Sequence, residues 1–484
     1  MSRQDFTPLD TVRYIWTTLC LPKDALNSLC LPADEECCPS SFKVGHLAQS
    51  VIGLSALSAA LIWAINSNKP VPYVTVSAEH ACVEFKSERL YVLNGKAAPS
   101  AFGTIGGLHK TRDGYIRMHD GFPNHREIAL KILGLRPSAT RNEVAREMLQ
   151  WDSIDLETKA VEEGAVMAAL RSFEEWDAHP QSRAVTDFPI LLKQIPKGTV
   201  NLPKSNIQMQ PRKCLQGLRV VEMSRVIAAP VAGRTLAAHG ADVVWITSPS
   251  LPDLPDVDID VSRGKRTVQL NIKQEEDKKK LLELIRTSDV FIQSYRPDSL
   301  AAQGLSNKEL IALNPNLIIA SLSAYGPDGP WSRRRGFDSL VQTCSGINVA
   351  DAECYGTGEA ARVLPCQALD HGSGYLLATG IIAALYKRTL DGGSYEVTVS
   401  LAGVMKYLRS LGRYEGQSGF NRRDFKQPGD ADVFLETRST GFGELKAVKH
   451  AARIDGVEVG WEHMPKPLGS DDAVWLSKNR LTAI

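Results

Sequence analysis

Leu218-Arg-Val-Val-Glu-Met223 reads as a strand, and Ser224-Arg-Val-Ile-Ala-Ala-Pro230 turns from it into a helix. Pro230 can open that helix at its first position, and Gly240 ends it. Asp242-Val-Val-Trp-Ile246 is the next strand, which completes a βαβ unit of suitable length. The alternation then recurs: strand over 267–272, charged amphipathic helix over 274–286, strand over 290–293, helix over 306–313, strand over 317–322. Strands alternating with helices predict an α/β fold with a parallel, doubly wound, Rossmann-like sheet as its core. The turn after the first strand has no GxGxxG, so a nicotinamide or flavin cofactor is not supported.

Upstream, 44–65 reads as a helix and Tyr73-Val-Thr-Val-Ser77 as a strand. Gly103-Thr-Ile-Gly-Gly107 is a glycine-rich turn, 114–119 alternates like an edge strand, and helices follow from 124 to 176. Pro196, Pro203 and Pro211 mark a polar linker. The expected organisation is an irregular segment over 1–40, a partial copy of the core over 41–95, and a smaller α+β domain with the glycine loop over 96–195. A linker over 196–213, the α/β core over 214–413 and a return segment over 414–484 complete it.

Composition excludes several classes. A net charge of +1 over 484 residues gives no nucleic-acid footprint. The nine cysteines are scattered without zinc spacing, so no metal is expected, and adjacent Cys37-Cys38 cannot readily share an unstrained disulfide. Thiols in a reducing compartment, and a cytoplasmic location, are the expectation. Met1-Ser-Arg-Gln-Asp-Phe6 has no secretory pattern, and Arg480-Leu-Thr-Ala-Ile484 is no peroxisomal address. The 44–65 stretch carries His46, Gln49 and three serines, which favours a buried helix over a membrane span.

One acid stands out. Leu364-Pro-Cys-Gln-Ala-Leu-Asp370-His-Gly-Ser-Gly-Tyr-Leu376 places Asp370 at the opening of a small-residue helix. An Asp there either caps the helix, accepting its orphan N–H groups, or does chemistry. A repeat bears on the choice. Ala383-Ala-Leu385 and Tyr395-Glu-Val-Thr-Val-Ser400 echo Ala59-Ala-Leu61 and Tyr73–Ser77, so one helix–strand unit occurs twice. Where the second copy has Asp370, the first offers His46 or Leu47.

These residues resemble the class III CoA-transferases, the CaiB/BaiF family. Leu215–Gly233, Ala238-His-Gly-Ala-Asp-Val-Val244, Ser262-Arg-Gly-Lys-Arg-Thr-Val268, Asp289–Pro297, Leu313-Asn-Pro315, Gly336-Phe-Asp338, the Asp370 segment and 392–401 fall in family order. The resemblance extends to the N-terminal half, as a duplicated form whose first copy has lost its nucleotide-binding part. It implies an acyl-CoA:carboxylate CoA-transferase with Asp370 as a covalent nucleophile, attacking a thioester in a closed pocket. Coenzyme A or acyl-CoA is then a substrate, with a carboxylic acid as acceptor, no tightly bound cofactor, no membrane or nucleic-acid partner, and room for a homodimer.

The resemblance also implies site residues. Gly103, Gly106 and Gly107 would form a loop over the aspartate whose N–H groups hold an oxyanion. Arg225, Val226, Arg263, Lys265, Arg266, Tyr295 and Arg296 would bind CoA, although Ala302 stands where many members carry an Arg. Racemases of the family resemble Gly-His-Asp where this chain has Gly336-Phe337-Asp338, and a phenyl ring exchanges no proton. Epimerisation of acyl-CoA, and a non-catalytic CoA-binding protein left by duplication, are the alternatives.

Overall fold

A computed structural model describes residues 3–33, 37–100, 103–195 and 211–476. Its main sheet runs Lys265–Gln269, Asp242–Thr247, Arg219–Met223, Val290–Gln293, Ile318–Ser323 and Ser394–Ser400, all parallel. Leu191–Ile195 closes one edge antiparallel to Ser394–Ser400. The central strands are buried on both faces, which is why Val220-Val221 and Val243-Val244-Trp245-Ile246 read as continuous apolar runs rather than alternating ones. From the neighbouring pair Arg219–Met223 and Val290–Gln293 the strand order runs outward in opposite directions. Such a switch point opens a crevice at the carboxyl ends of the two strands.

Helix Ala228–Ala238 follows the first strand and packs against helix Ala368–Asp391, which carries Asp370. The approach depends on Gly374. A Cβ there would stand 2.5 Å from the Ala228 carbonyl oxygen and 2.6 Å from Val231 Cβ. On another side the Asp370 helix meets helix Val44–Ser67, with Leu47 filling the space a Cβ on Gly372 would touch. Val44–Ser67 is the one described helix long and apolar enough to cross a membrane, and it is buried within the protein from Val44 to Ala64.

The two halves are joined by a polar seam. Asp260 pairs with both Arg234 and Arg263 and accepts a 2.8 Å hydrogen bond from Ser87 of the N-terminal segment. Glu84 accepts from His450 at 2.8 Å. These charges are buried and paired with one another, so removing one partner would leave another charge uncompensated.

Several boundaries differ from expectation. The described part of 1–40 is not irregular: helix Pro8–Thr18 opens on a Thr7/Asp10 capping box, and Leu29–Cys30 pairs with Val74–Val76. Leu191–Ile195 belongs to the core sheet, so the smaller domain ends before it. That domain is a three-stranded sheet packed on Pro123–Ile132, Arg141–Met148 and Ser153–Glu163, and it has its own core around Ile116, Leu130, Val144 and Leu156. Its strand Tyr115–Met118 is central, not an edge; it alternates because the sheet buries one face. Residues 196–210 of the expected linker lie outside the described residues. The return segment pairs with the N-terminus: Ala452–Ile454 with Val74–Val76, and Gly443–Val448 with Val92–Leu93.

Candidate active site

The crevice at the switch point is a cavity of about 240 Å³, and Asp370 lines it. Arg225 and Val226 come from the end of the first strand, and Tyr295 and Arg296 from the end of Val290–Gln293. Four of the seven expected CoA-binding residues therefore meet at the acid. Val226 adopts φ +70°, a conformation β-branched residues avoid, so the turn is held there by its surroundings. A larger cavity of about 600 Å³, between 91–99, 253–262 and 466–468, does not contain Asp370.

Asp370 is the third residue of its helix, not the cap, and its carboxylate accepts no hydrogen bond from any described residue. Asp338 does the capping instead. Its Oδ2 accepts from the Leu369 N–H at 2.8 Å and the Asp370 N–H at 2.9 Å, while the Gln342 amide donates to its Oδ1. The helix start is thus anchored from another segment, and the Asp370 side chain stays free. It is 7% exposed, at the floor of the cavity.

This setting changes the expected ionisation. A carboxylate near a helix N-terminus would be expected to ionise readily. Instead, burial pushes Asp370 well above the usual carboxylate range, and the nearby Asp338 and Glu88 carboxylates push the same way. Burial also raises Asp338 to about 6, against the hydrogen bonds it accepts. A reaction needing anionic Asp370 should therefore show an acid limb in kcat/KM displaced well above the usual carboxylate range. A midpoint near 4 in an acyl-CoA pH–rate profile would contradict that. Stability moves the other way. The unfolded chain releases its carboxyl protons at ordinary carboxylate pH, so the contribution of Asp338 to stability falls as pH rises from about 4 to about 6.

His371 faces away from the cavity. Its Nε2 lies 2.9 Å from Glu88 Oε2 and its ring stacks on Phe85, so it ties the helix to the N-terminal segment. His46, third in helix Val44–Ser67 as Asp370 is third in helix Ala368–Asp391, bonds Thr11 at 2.8 Å and is held near pKa 3 by burial.

Three of the expected CoA-binding residues lie elsewhere. Arg263 pairs with Asp260, Lys265 with Glu222 at 2.7 Å, and Arg266 with Asp242 at 2.9 Å. All three are buried, and none lines the Asp370 cavity. The glycine loop also lies away from it. Gly103 and Gly106 let the chain wrap the Asp120 carboxylate, which takes the N–H groups of Ile105 at 2.9 Å and Gly106 at 2.7 Å. Gly107, at φ +94°, lies against Arg141. No member of the loop lines the cavity, so in this arrangement it offers Asp370 no oxyanion donor.

The smaller domain contributes other residues. Phe122 and His125 line the cavity beside Phe337, and the His119 ring stacks on Phe337 at 3.9 Å. Burial holds both imidazoles near pKa 4; Arg335, Arg225 and Arg296 depress His125 further, so both are neutral at pH 7. Arg225 stands 4.5 Å from the Phe122 ring. Arg334 and Arg335 also line the cavity. The run Arg333-Arg334-Arg335 just before Gly336-Phe337-Asp338 was the sequence signal for them. Ala228 and Ala229 line it at a helix start that carries no side-chain cap, where free N–H groups favour an anion.

Residues 215–431 match CoA-transferase family III. The chain is 30% identical over 279 residues to the probable fatty acyl-CoA transferase Rv3272 of Mycobacterium tuberculosis, covering 55% of this chain and 68% of that one. The chain belongs to CoA-transferase family III. It is also 32% identical over 210 residues to a formyl-CoA:oxalate CoA-transferase of Rhodopseudomonas palustris, covering 41% of this chain and 48% of that one. A crystal structure of a CaiB/BaiF family protein from Brucella suis aligns at TM-score 0.35 and 26% identity, over 48% of this chain and 64% of that one. The chain spans about half the length of most of the curated relatives it matches.

Proposed function

We propose that this member of CoA-transferase family III moves coenzyme A from an acyl-CoA to a carboxylic acid through covalent intermediates on Asp370. The observation that carries this is the free Asp370 carboxylate at the switch-point crevice, with Asp338 rather than Asp370 spent on the helix start. An Asp370 oxygen adds to the thioester carbonyl, and the C–S bond breaks to give an acyl-aspartyl anhydride and CoA thiolate. The thiolate attacks the aspartyl carbonyl, releasing the donor acid and leaving an aspartyl-CoA thioester. The acceptor carboxylate displaces the thiolate as a second anhydride, and the thiolate then takes the new acyl group and frees Asp370. Asp370 is consumed and regenerated, and no net proton is needed.

The surroundings support these roles. Arg225, Arg296 and Arg335 give the crevice positive charge for CoA phosphates and the incoming carboxylate. The uncapped start of Ala228–Ala238 offers N–H groups to an oxyanion, the part expected of the glycine loop. Relatives named for acyl-CoA transfer and for formyl-CoA:oxalate transfer agree with a thioester donor and an acid acceptor.

Epimerisation is disfavoured because Phe337 fills the position of the second base. We also propose that Val44–Ser67 with Val74–Val76 is a duplicate of Ala368–Asp391 with Ser394–Ser400. Both helices have 24 residues, and both following strands sit between one parallel and one antiparallel neighbour.

The test incubates the chain with acyl-CoA, a panel of carboxylic acids and isotopically labelled CoA. Label entering a second acyl-CoA, with a hydroxylamine-trapped adduct mapped to Asp370, is the expected result. Deuterium entering the α-carbon without any acceptor acid, and no label transfer, would replace transfer by epimerisation.

A further inference from the structure

We propose that the acyl group taken onto Asp370 is flat and unsaturated, an aryl or conjugated enoyl group that stacks on Phe337. This rests on the covalent aspartyl reading above and deepens it by naming the donor class.

The placement of Phe337 follows from its neighbour. Asp338 fixes the start of the Asp370 helix, so Phe337, one residue earlier, is held in register with Asp370 across the cavity. The Phe337 ring is backed by His119 at 3.9 Å with planes 16° apart, and Phe122 lies 6.0 Å away, inclined at 29°. His125 completes the wall at 6.0 Å. Phe337 is only partly buried and lines the cavity, so the part of its ring not covered by His119 faces the space beside Asp370.

The wall is apolar in effect. Both imidazoles are neutral, so the aromatic side chains of the wall carry no formal charge themselves, while the guanidiniums, Arg225 over Phe122 among them, gather around the same cavity for CoA and the acceptor. Aromatic faces reward offset-stacked planar partners beyond simple area burial. A saturated ring or chain of the same size gains the burial but not the stacking.

The experiment uses the full chain and needs no acceptor. Benzoyl-CoA is compared with cyclohexanecarbonyl-CoA, matched in size but not flat, and cinnamoyl-CoA with hexanoyl-CoA. Acylation is read as free CoA released and as hydroxylamine-trapped adduct. The flat donor of each pair should acylate with kcat/KM about threefold to tenfold higher, the range aromatic stacking supplies. Phe337→Leu should erase that preference, and Phe337→Tyr, which keeps the ring, should retain it. Equal or better acylation by the saturated donors, or a preference undiminished in Phe337→Leu, overturns the proposal alone. If no donor labels the wild-type chain, the covalent reading fails and this inference falls with it.

Discussion

Replacing Asp370 with asparagine is expected to abolish CoA exchange between acids, a loss of about 10⁴-fold or more in kcat. The side chains have nearly the same shape, so the loss reports chemistry. A carboxamide does not add to a thioester at neutral pH and cannot form the anhydride. The substitution also has a second, opposite signature. In the wild type a carboxylate is buried against Asp338 and Glu88 with no hydrogen bond of its own, a state the fold tolerates at a cost. Asparagine removes that cost, so the variant should melt at a higher temperature at pH 7.5 than the wild type. A nucleophile held under strain gives that combination of lost activity and gained stability. Labelled-CoA exchange and a thermal scan on the same preparation check both halves. Turnover within tenfold of wild type would remove Asp370 from the mechanism.

Asp338→Ala should cost about 2–4 kcal/mol of stability and lower kcat by about 100-fold. It leaves the Leu369 and Asp370 N–H groups without their acceptor in a buried site, and the Gln342 amide loses its partner as well. The helix start then loosens by a fraction of an ångström, which displaces the nucleophile. Asp338→Asn keeps one acceptor oxygen and should be milder on both counts. Its pH profile separates positioning from simple damage. Removing the neighbouring carboxylate relieves Asp370, so the acid limb of kcat/KM moves to lower pH in Asp338→Asn. Urea unfolding and a pH–rate profile of the two variants supply the readings. An unmoved acid limb would show that Asp338 does not act on Asp370 electrostatically.

The core was legible because its strands advertise themselves. Val220-Val221 and Val243–Ile246 are apolar without alternation, and helices follow strands in regular turn, which together leave few topologies open. The crevice residues after two of those strands, Arg225, Val226, Tyr295 and Arg296, followed from the family order. Charge was the misleading signal. Arg263, Lys265 and Arg266 look like a phosphate clamp in one dimension, but their partners Asp260, Glu222 and Asp242 come from elsewhere in the fold. The glycine loop misled in the same way, since Asp120, which it wraps, lies beyond the turn itself. Asp338 was quoted in the sequence without its role, because capping across segments leaves no local spacing to read. The aromatic wall was hidden for the same reason: His119 and Phe337 meet only once the smaller domain closes on the core.

The seam between the halves bears on how the chain comes to be made. Glu88 and His371 are 283 residues apart in the chain and 2.9 Å apart in the fold. At about 5–20 residues per second, the ribosome delivers His371 about 15–60 s after Glu88. Throughout that interval Val44–Ser67 has Pro8–Thr18 and Ala78–Glu84 beside it but lacks the Asp370 helix that covers another of its sides. Its sheet neighbour Ala452–Ile454 arrives later still. A nascent chain of this design leaves one side of its most apolar helix open until its second half is made.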